Sequence, residues 1–285
     1  MSEPVTVRGL LVEGAALLRN DEGSREAELL LQHVLQQPRA WLFAHGADIP
    51  GDAALQRFRA LLARRTAGEP LAYILGRREF WSLDLEVTPA VLIPRAETEL
   101  LVELALQRLP QKQKVDIADL GTGSGAIALA LAHERPLARV LATDASPAAL
   151  EVAWRNAERL GLGNVEFLRS DWFDGLGARR FDLIVSNPPY IAADDAHLYR
   201  GDLRFEPPDA LASGADGLEA IRTIAHAAQA HLHPGGALLL EHGYEQGDAV
   251  RGILQQSGFV DVFTARDLEQ RERVTGGVSA AAPLP

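Results

Sequence analysis

The stretch VDIADLGTGSGAIALALA, residues 115–132, decides the fold. Its first half, VDIADLG, reads as a strand. Its second half stays apolar for long enough to make a buried helix. DLGTGSG (119–125) joins the two. Gly121, Gly123 and Gly125 let the backbone turn tightly and let a ligand come close to the main chain. In open α/β sheets ligands sit at the carboxyl ends of the strands, which is where this loop falls. An acid is then expected at the end of the next strand, about 20 residues on. Asp144 in VLATDAS meets that condition, 19 residues after Gly125. A carboxylate there can accept hydrogen bonds from both hydroxyls of a ribose. The spacing is G-x-G-x-G, not G-x-G-x-x-G, and this weighs against a dinucleotide. A pyrophosphate wants the third glycine one residue later, beside the helix N-terminus. A glycine-rich turn with no ligand is the plain alternative.

Outward from this loop, strands and helices alternate. TELLVELALQRL, GAIALALAHE, SPAALEVAWRNAERLG, DGLEAIRTIAHAAQAHL and EQGDAVRGILQQSG read as helices. ARVLATD, VEFLRS, FDLIVS, GGALLLEHG and FVDVFTA read as strands between or after them. In the third helix Ser146 is the expected N-cap, Pro147 the first helical residue and Gly161 the stop. Alternation of this kind predicts a parallel, doubly wound sheet. RERVTGG follows FVDVFTA too closely for a crossover helix, so it is expected to return antiparallel. The tail SAAAPLP is expected to fray. Upstream the pattern differs. VRGLLVEGAALLRN, SREAELLLQHVLQQ and DAALQRFRALLARRTAG have helical spacing, with Ser24 as an expected N-cap and Gly68 as a stop. Three or four helices make a small bundle over residues 1–77. REFWSLDLEV and then VLIP read as a hairpin or bridge over 78–96, before a catalytic domain at 97–285.

SNPPYI (186–191) ends the strand FDLIV. That strand is the fourth of the alternating region, so its end is expected beside the glycine loop. Two prolines end a strand without help, and a stiff turn is the bland reading. Asn187 and Pro188 each precede a proline and are pushed to extended geometry. With no N–H on Pro188 or Pro189, the Asn187 side-chain oxygen and the Pro188 carbonyl are left as free acceptors. Two rigid acceptors side by side can hold both hydrogens of an NH₂ group. Tyr190 offers a flat apolar face for a planar group. The arrangement suits methylation of a conjugated nitrogen, driven by positioning and fixed dipoles. No general base is evident. His231 and His233 flank a helix end before a PGG turn and read as surface.

Composition narrows the classes. The chain has 285 residues, 47% apolar and 24% charged, with no cysteine. That excludes disulfides, thiolate zinc sites and a cysteine nucleophile. MSEPVTVRGLLVEG lacks the features of a signal peptide, and no apolar run approaches the roughly 20 residues of a membrane span, so a cytoplasmic protein is expected. The net charge is −11. Residues 1–80 hold 10 Arg, no Lys and 10 acids, while residues 81–285 hold 18 basic and 29 acidic residues. A neutral front and an acidic back argue against a naked nucleic-acid substrate.

DLGTGSG resembles motif I of the Rossmann-like, class I S-adenosylmethionine-dependent methyltransferases, as does the reversed last strand. NPPY-type motifs occur in enzymes that methylate adenine N6, cytosine N4 and glutamine N5. REFWSLDLEVTPAVLIPRAETELLV (78–102), DLGTGSGAIALALA, ATDASPAALEVAWRNA, SNPPYI, RFEPPDAL (204–211) and LLLEHGYEQG (239–247) together resemble the peptide chain release factor glutamine methyltransferases, the PrmC/HemK family. LIPRAETE and FEPPDAL are the specific parts.

The resemblance implies N5 methylation of the glutamine in the GGQ motif of class I release factors. It implies S-adenosylmethionine as methyl donor, S-adenosylhomocysteine as product and no metal. Gly121, Thr122, Gly123, Ser124 and Gly125 would line the cofactor, and Asp144 would hold its ribose. Trp172 would lie beside the adenine, a core tryptophan being the alternative. Asn187, Pro188 and Tyr190 would carry catalysis, with Asn187 also touching the cofactor. The same three residues and Pro189 would bind the glutamine. Arg95, Glu97, Glu206 and Glu241 belong to matching motifs, and an ion pair or loop anchor is expected of each. The front bundle would grip the release factor, with a monomeric enzyme and neither nucleic acid nor membrane as partner. A related family, which methylates a glutamine of a ribosomal protein, diverges at the segment matching RAETE and ranks second. A DNA adenine N6-methyltransferase lacks the basic target-recognition region that it would need. An NAD-dependent oxidoreductase would leave NPPY without a purpose, and a non-catalytic scaffold would not need Gly121, Asp144 and Asn187 intact.

Overall fold

A computed structural model describes residues 5–18 and 22–280. The chain divides into two compact units, Met1–Gly76 and Arg77–Pro285. In the first unit α1 (Val7–Leu18), α2 (Gly23–Leu35), α3 (Arg39–Ala44), α4 (Asp52–Thr66) and α5 (Leu71–Leu75) form a bundle. Leu10, Leu30, Leu31, Leu42, Phe58 and Leu62 are its buried centre. They recur at helical spacing because only one stripe of each helix meets the others. Glu26, buried on α2, pairs with Arg65 of α4 at 2.9 Å. Ser24 does not cap α2 as expected. The helix already begins at Gly23, with Glu22 at the cap position.

The second unit opens with a hairpin, β1 (Arg77–Phe80) and β2 (Leu83–Glu86), in antiparallel register. REFWSLDLEV makes this hairpin alone, whereas VLIP is not a strand. A 3-10 turn (Ala96–Thr98) leads into α6 (Glu99–Arg108). Then follow β3 (Asp116–Leu120), α7 (Ala126–Glu134), β4 (Arg139–Asp144), α8 (Pro147–Leu160), β5 (Val165–Arg169) and β6 (Phe181–Ser186). The chain closes with α9 (Glu219–Ala228), β7 (Leu232–Glu241), α10 (Gly247–Gln256), β8 (Phe259–Arg266) and β9 (Glu272–Ser279). The sheet order is β5-β4-β3-β6-β7-β9-β8. β3 pairs with both β4 and β6 in parallel, and β9 inserts antiparallel between β7 and β8. The expected return of RERVTGG is therefore present.

The central strands are largely apolar on both faces because both faces are covered. Ile117, Leu183, Val185 and Leu239 point into one core with α6 and α7. Their neighbours Ala118, Ile184, Leu238 and Leu240 point into the other with α9 and α10. Ser146 caps α8, its hydroxyl accepting from the Ala149 N–H at 3.2 Å, and Gly161 ends that helix in the left-handed region. His231 is half-buried and stacks on Phe173 with centroids 4.8 Å apart, so it is not the bare surface residue expected. Of SAAAPLP, residues 281–285 lie outside the described residues.

Gly125 closes the turn from β3 to α7 at φ +85, and a Cβ there would stand 3.0 Å from Leu129 and 3.2 Å from Ala153. Both the backbone angle and the close approach of α8 select glycine. Gly125→Ala is expected to cost about 2 kcal/mol through strain at that angle and crowding against Ala153. Urea denaturation of the full chain measures it, as a lower midpoint at unchanged slope.

Candidate active site

The carboxyl ends of β3, β4 and β6 open into a cavity of about 500 Å³. The glycine loop forms its floor through Gly121, Thr122, Gly123 and Ser124. Trp172 forms one side, its ring close enough that a Cβ on Gly121 would lie 3.5 Å from it. Asp144 at the end of β4 lines the cavity, with one oxygen accepting from the Gly123 N–H and the other from the Ser146 N–H, each at 2.9 Å. Burial raises the Asp144 pKa above the ordinary carboxylate value, and those two N–H groups oppose the rise. Asn187 and Pro189 line the far side.

LIPRAETE and FEPPDAL close the remaining walls. Pro94, Arg95 and Thr98 come from LIPRAETE, and Pro207, Asp209 and Ala210 from FEPPDAL. Arg95 pairs with buried Glu206, which also accepts from the Ile93 N–H at 3.1 Å. The expected ion pair and loop anchor are thus one contact, and it ties the two walls together. Burial raises the Glu206 pKa, against the pull of Arg95.

Three expected site residues do not line the cavity. Gly125 sits behind the loop, in the contact with Leu129 and Ala153. Pro188 is buried, though its carbonyl accepts no hydrogen bond among the described residues. Tyr190 does not present its ring to the cavity as expected. Its hydroxyl reaches instead toward Glu241 at 3.4 Å, and burial beside that carboxylate pushes the phenol pKa up. Asn187 donates from Nδ2 to the Thr98 hydroxyl at 3.2 Å, and its Oδ1 takes no hydrogen bond among the described residues.

Sequence reasoning passed over three polar residues that hold these parts in place. Asp119, fully buried under the loop, accepts from the Thr122 hydroxyl at 2.7 Å and from the Ala128 N–H at 3.2 Å. Asn156, buried on α8, accepts from the Glu86 N–H at 2.7 Å and donates to the carbonyls of Glu86 and Ser124. It thereby clamps the hairpin to the glycine loop. Thr98 is buried beside Asn187. The available signals were a carboxylate inside an apolar strand and an asparagine inside a helix, both costly unless satisfied. Among the described residues no helix is long and apolar enough to cross a membrane, and no cluster of His, Cys, Asp or Glu could hold a metal ion.

Comparison with known proteins agrees with this geometry. The methyltransferase small domain profile matches residues 96–200, and the PrmC N-terminal domain profile matches residues 10–76. The release factor glutamine methyltransferase of Xylella fastidiosa strain Temecula1 is 60% identical over 88% of this chain and 92% of its own length. That of Escherichia coli K12 is 49% identical over 92% of this chain and 94% of its own. A crystal structure of a methyltransferase from Pyrococcus furiosus shares the fold at 20% identity and a TM-score of 0.52, over 76% of this chain and 97% of that one.

Burial raises the Asp119 pKa from 3.8 to about 7, against hydrogen bonds from Thr122 and Ala128. A carboxyl raised in this way binds more protons folded than unfolded, so stability falls as pH rises from 3.8 toward 7. Glu241 acts in the same direction between 4.5 and about 7. Asp119→Asn keeps an acceptor for Thr122 and Ala128 but does not titrate. Its unfolding free energy, measured in urea at pH 4.5 and at pH 7.5, should differ less between the two than that of the parent.

Proposed function

We propose how this site works from one premise: the chain belongs to the release factor glutamine methyltransferase family. It methylates the N5 side-chain nitrogen of the glutamine in the GGQ motif of class I peptide chain release factors, with S-adenosylmethionine as donor and S-adenosylhomocysteine as product. One observation carries the reading for this chain. The glycine loop with Asp144 and the SNPPY strand end open into the same cavity, between walls built from LIPRAETE and FEPPDAL.

The residues fit such a donor. Asp144 is a carboxylate on the cavity wall, suited to a ribose diol, and its own backbone hydrogen bonds hold it still. Gly121 and Trp172 line the cavity side by side, and a flat base can lie against the open face of the tryptophan ring. When bound, S-adenosylmethionine supplies an electrophilic methyl on a sulfonium centre. The chain supplies position. Thr122, Gly123 and Ser124 bring the main chain close to the donor. Asn187 Oδ1 and the Pro188 carbonyl accept the two hydrogens of the substrate amide, with Pro189 on the pocket wall and Tyr190 behind it, its hydroxyl turned to Glu241. Holding both N–H bonds turns the nitrogen lone pair toward the methyl and weakens its conjugation with the carbonyl. The nitrogen becomes strongly acidic once methylated, so its proton can leave to water without a dedicated base.

In this reading residues 1–77 dock the release factor away from the chemistry, 78–96 link, and 97–285 catalyse. Binding energy from a remote contact can hold a flexible loop in place for reaction. The enzyme acts as a cytoplasmic monomer, and needs neither metal nor nucleic acid.

The test is methyl transfer from labelled S-adenosylmethionine to a release factor, to the same factor with its GGQ glutamine changed to alanine, and to duplex DNA. Label on the first alone is expected, and label on DNA would overturn the reading. Asn187→Ala should lower transfer by roughly 100-fold or more while leaving cofactor affinity within a few-fold. Asp144→Ala should do the reverse, weakening cofactor binding first.

A further inference from the structure

Glu241 ends β7, and β7 runs parallel to β6, so its side chain stands beside the strand end that carries SNPPY. It is 1% exposed, and its Oε2 makes no hydrogen bond of ordinary geometry among the described residues. A buried carboxylate with an unsatisfied oxygen is costly and calls for a reason. Two hydroxyls face it. That of Tyr190 reaches Oε1 at 3.4 Å, and that of Thr98 stands near enough to favour the ionised form. Thr98 in turn accepts from Asn187 Nδ2 at 3.2 Å. Tyr190 thus reaches the buried carboxylate directly, and Asn187 reaches Thr98, whose hydroxyl stands near it.

This chain of contacts has a direction. An ionised carboxylate only accepts, so a Thr98 hydroxyl turned to Glu241 spends its one proton there. The Thr98 oxygen is then an acceptor toward Asn187, and only the NH₂ end of the Asn187 amide can meet it. The carbonyl end, Oδ1, is left for the substrate. A flipped Asn187 would present two donors to a substrate NH₂ that is itself a donor, and binding would fail. We propose, on the reading of function given above, that Glu241 and Thr98 are positioning residues that fix which end of the Asn187 amide faces the substrate. The long Tyr190 contact and the open Oε2 are of the kind that tightens when substrate binds.

Titration gives this device a signature. Burial raises the Glu241 pKa to about 7, the hydroxyls of Thr98 and Tyr190 and the Arg273 cation lower it, and Glu97 raises it. Those groups come from the turn before α6, the end of β6 and β9, and Arg95 acts on Tyr190 from the same side. Protonated Glu241 can itself donate to Thr98, which frees the Thr98 proton for Asn187 and permits the flip. Turnover at saturating cofactor should therefore rise with pH through about 7. Buried Asp119 titrates in the same range but lies under the glycine loop, so its effect belongs to cofactor binding.

The experiment compares the parent enzyme with Thr98→Val, Thr98→Ser and Glu241→Gln, on a release factor substrate, across pH 5.5 to 8.5. Thr98→Val should lower kcat roughly tenfold, the factor one ordinary hydrogen bond commands, and Thr98→Ser should restore it to within about twofold. Glu241→Gln offers an NH₂ toward Thr98, reverses the chain and should lower kcat at least as much, with the rise through pH 7 gone. Cofactor affinity by calorimetry should stay within about twofold in all three. The side-chain ¹⁵N–¹H pair of Asn187 should shift in Thr98→Val and not in Thr98→Ser. Parent-like kcat in Thr98→Val, or an unaltered pH profile in Glu241→Gln, would overturn the proposal while leaving the glutamine reading intact. Failure of the parent enzyme to label the release factor would overturn both. If Thr98→Val does not fold, the Glu241→Gln profile alone decides.

Discussion

The site depends on one strand pairing. β6 runs parallel to β3 in a register that sets Ser186 beside Leu120, and the Ser186 hydroxyl donates to the Leu120 carbonyl at 2.7 Å. One strand continues into the glycine loop and the other into SNPPY. The pairing thus brings the glycine loop and the SNPPY strand end to one cavity, although 66 residues separate Ser186 from Leu120 in the chain. A shift of this register by one residue would turn each side chain of β6 to the opposite core. Leu183, Ile184 and Val185 oppose that shift because all three are buried, in alternation on the two faces.

Around that pairing stand four carboxylates, three buried and Asp144 half-buried, and each is held by a different means. Asp119 takes a hydroxyl and a main-chain N–H beneath the loop, and Asp144 takes two main-chain N–H groups at the rim. Glu206 takes Arg95 and the Ile93 N–H across two walls. Glu241 has two hydroxyls facing it and an oxygen without a formed bond. Buried charge of this density opposes stability, as the raised pKa values of all four show. It also makes the geometry specific, because a buried acceptor accepts only donors and so dictates how its neighbours orient.

Much of this was legible in the chain. The alternation of apolar strand and helix, the closely spaced RERVTGG and the caps at Ser146 and Gly161 all act through local geometry, which neighbouring residues settle. Asp144 could be placed by distance from the loop, whereas Trp172 was placed by the family resemblance alone. Ser24 was misjudged because a good capping residue one position inside a helix looks the same as one at its start. VLIP was misjudged because short apolar alternation does not distinguish a strand from a buried irregular segment. Tyr190 was expected to face the cavity with its ring, and nothing local in NPPY reveals that a carboxylate 51 residues later stands where its hydroxyl points.

The sequence by itself determined most of the strands and helices around the sheet, the direction of each of those strands, and the placing of the glycine loop, Asp144 and SNPPY at strand ends. These follow from periodicity, turn chemistry and the spacing between a strand end and the next. Only the tertiary structure decided what stands behind those residues: Asp119 under Thr122, Asn156 between hairpin and loop, and Glu241 and Thr98 behind Asn187. The reason is physical. A first contact with a ligand needs a residue at the end of a strand, which a linear pattern marks. The orientation of that residue is set by hydrogen bonds from elements distant in the chain, and these exist only once the sheet has brought its carboxyl ends together.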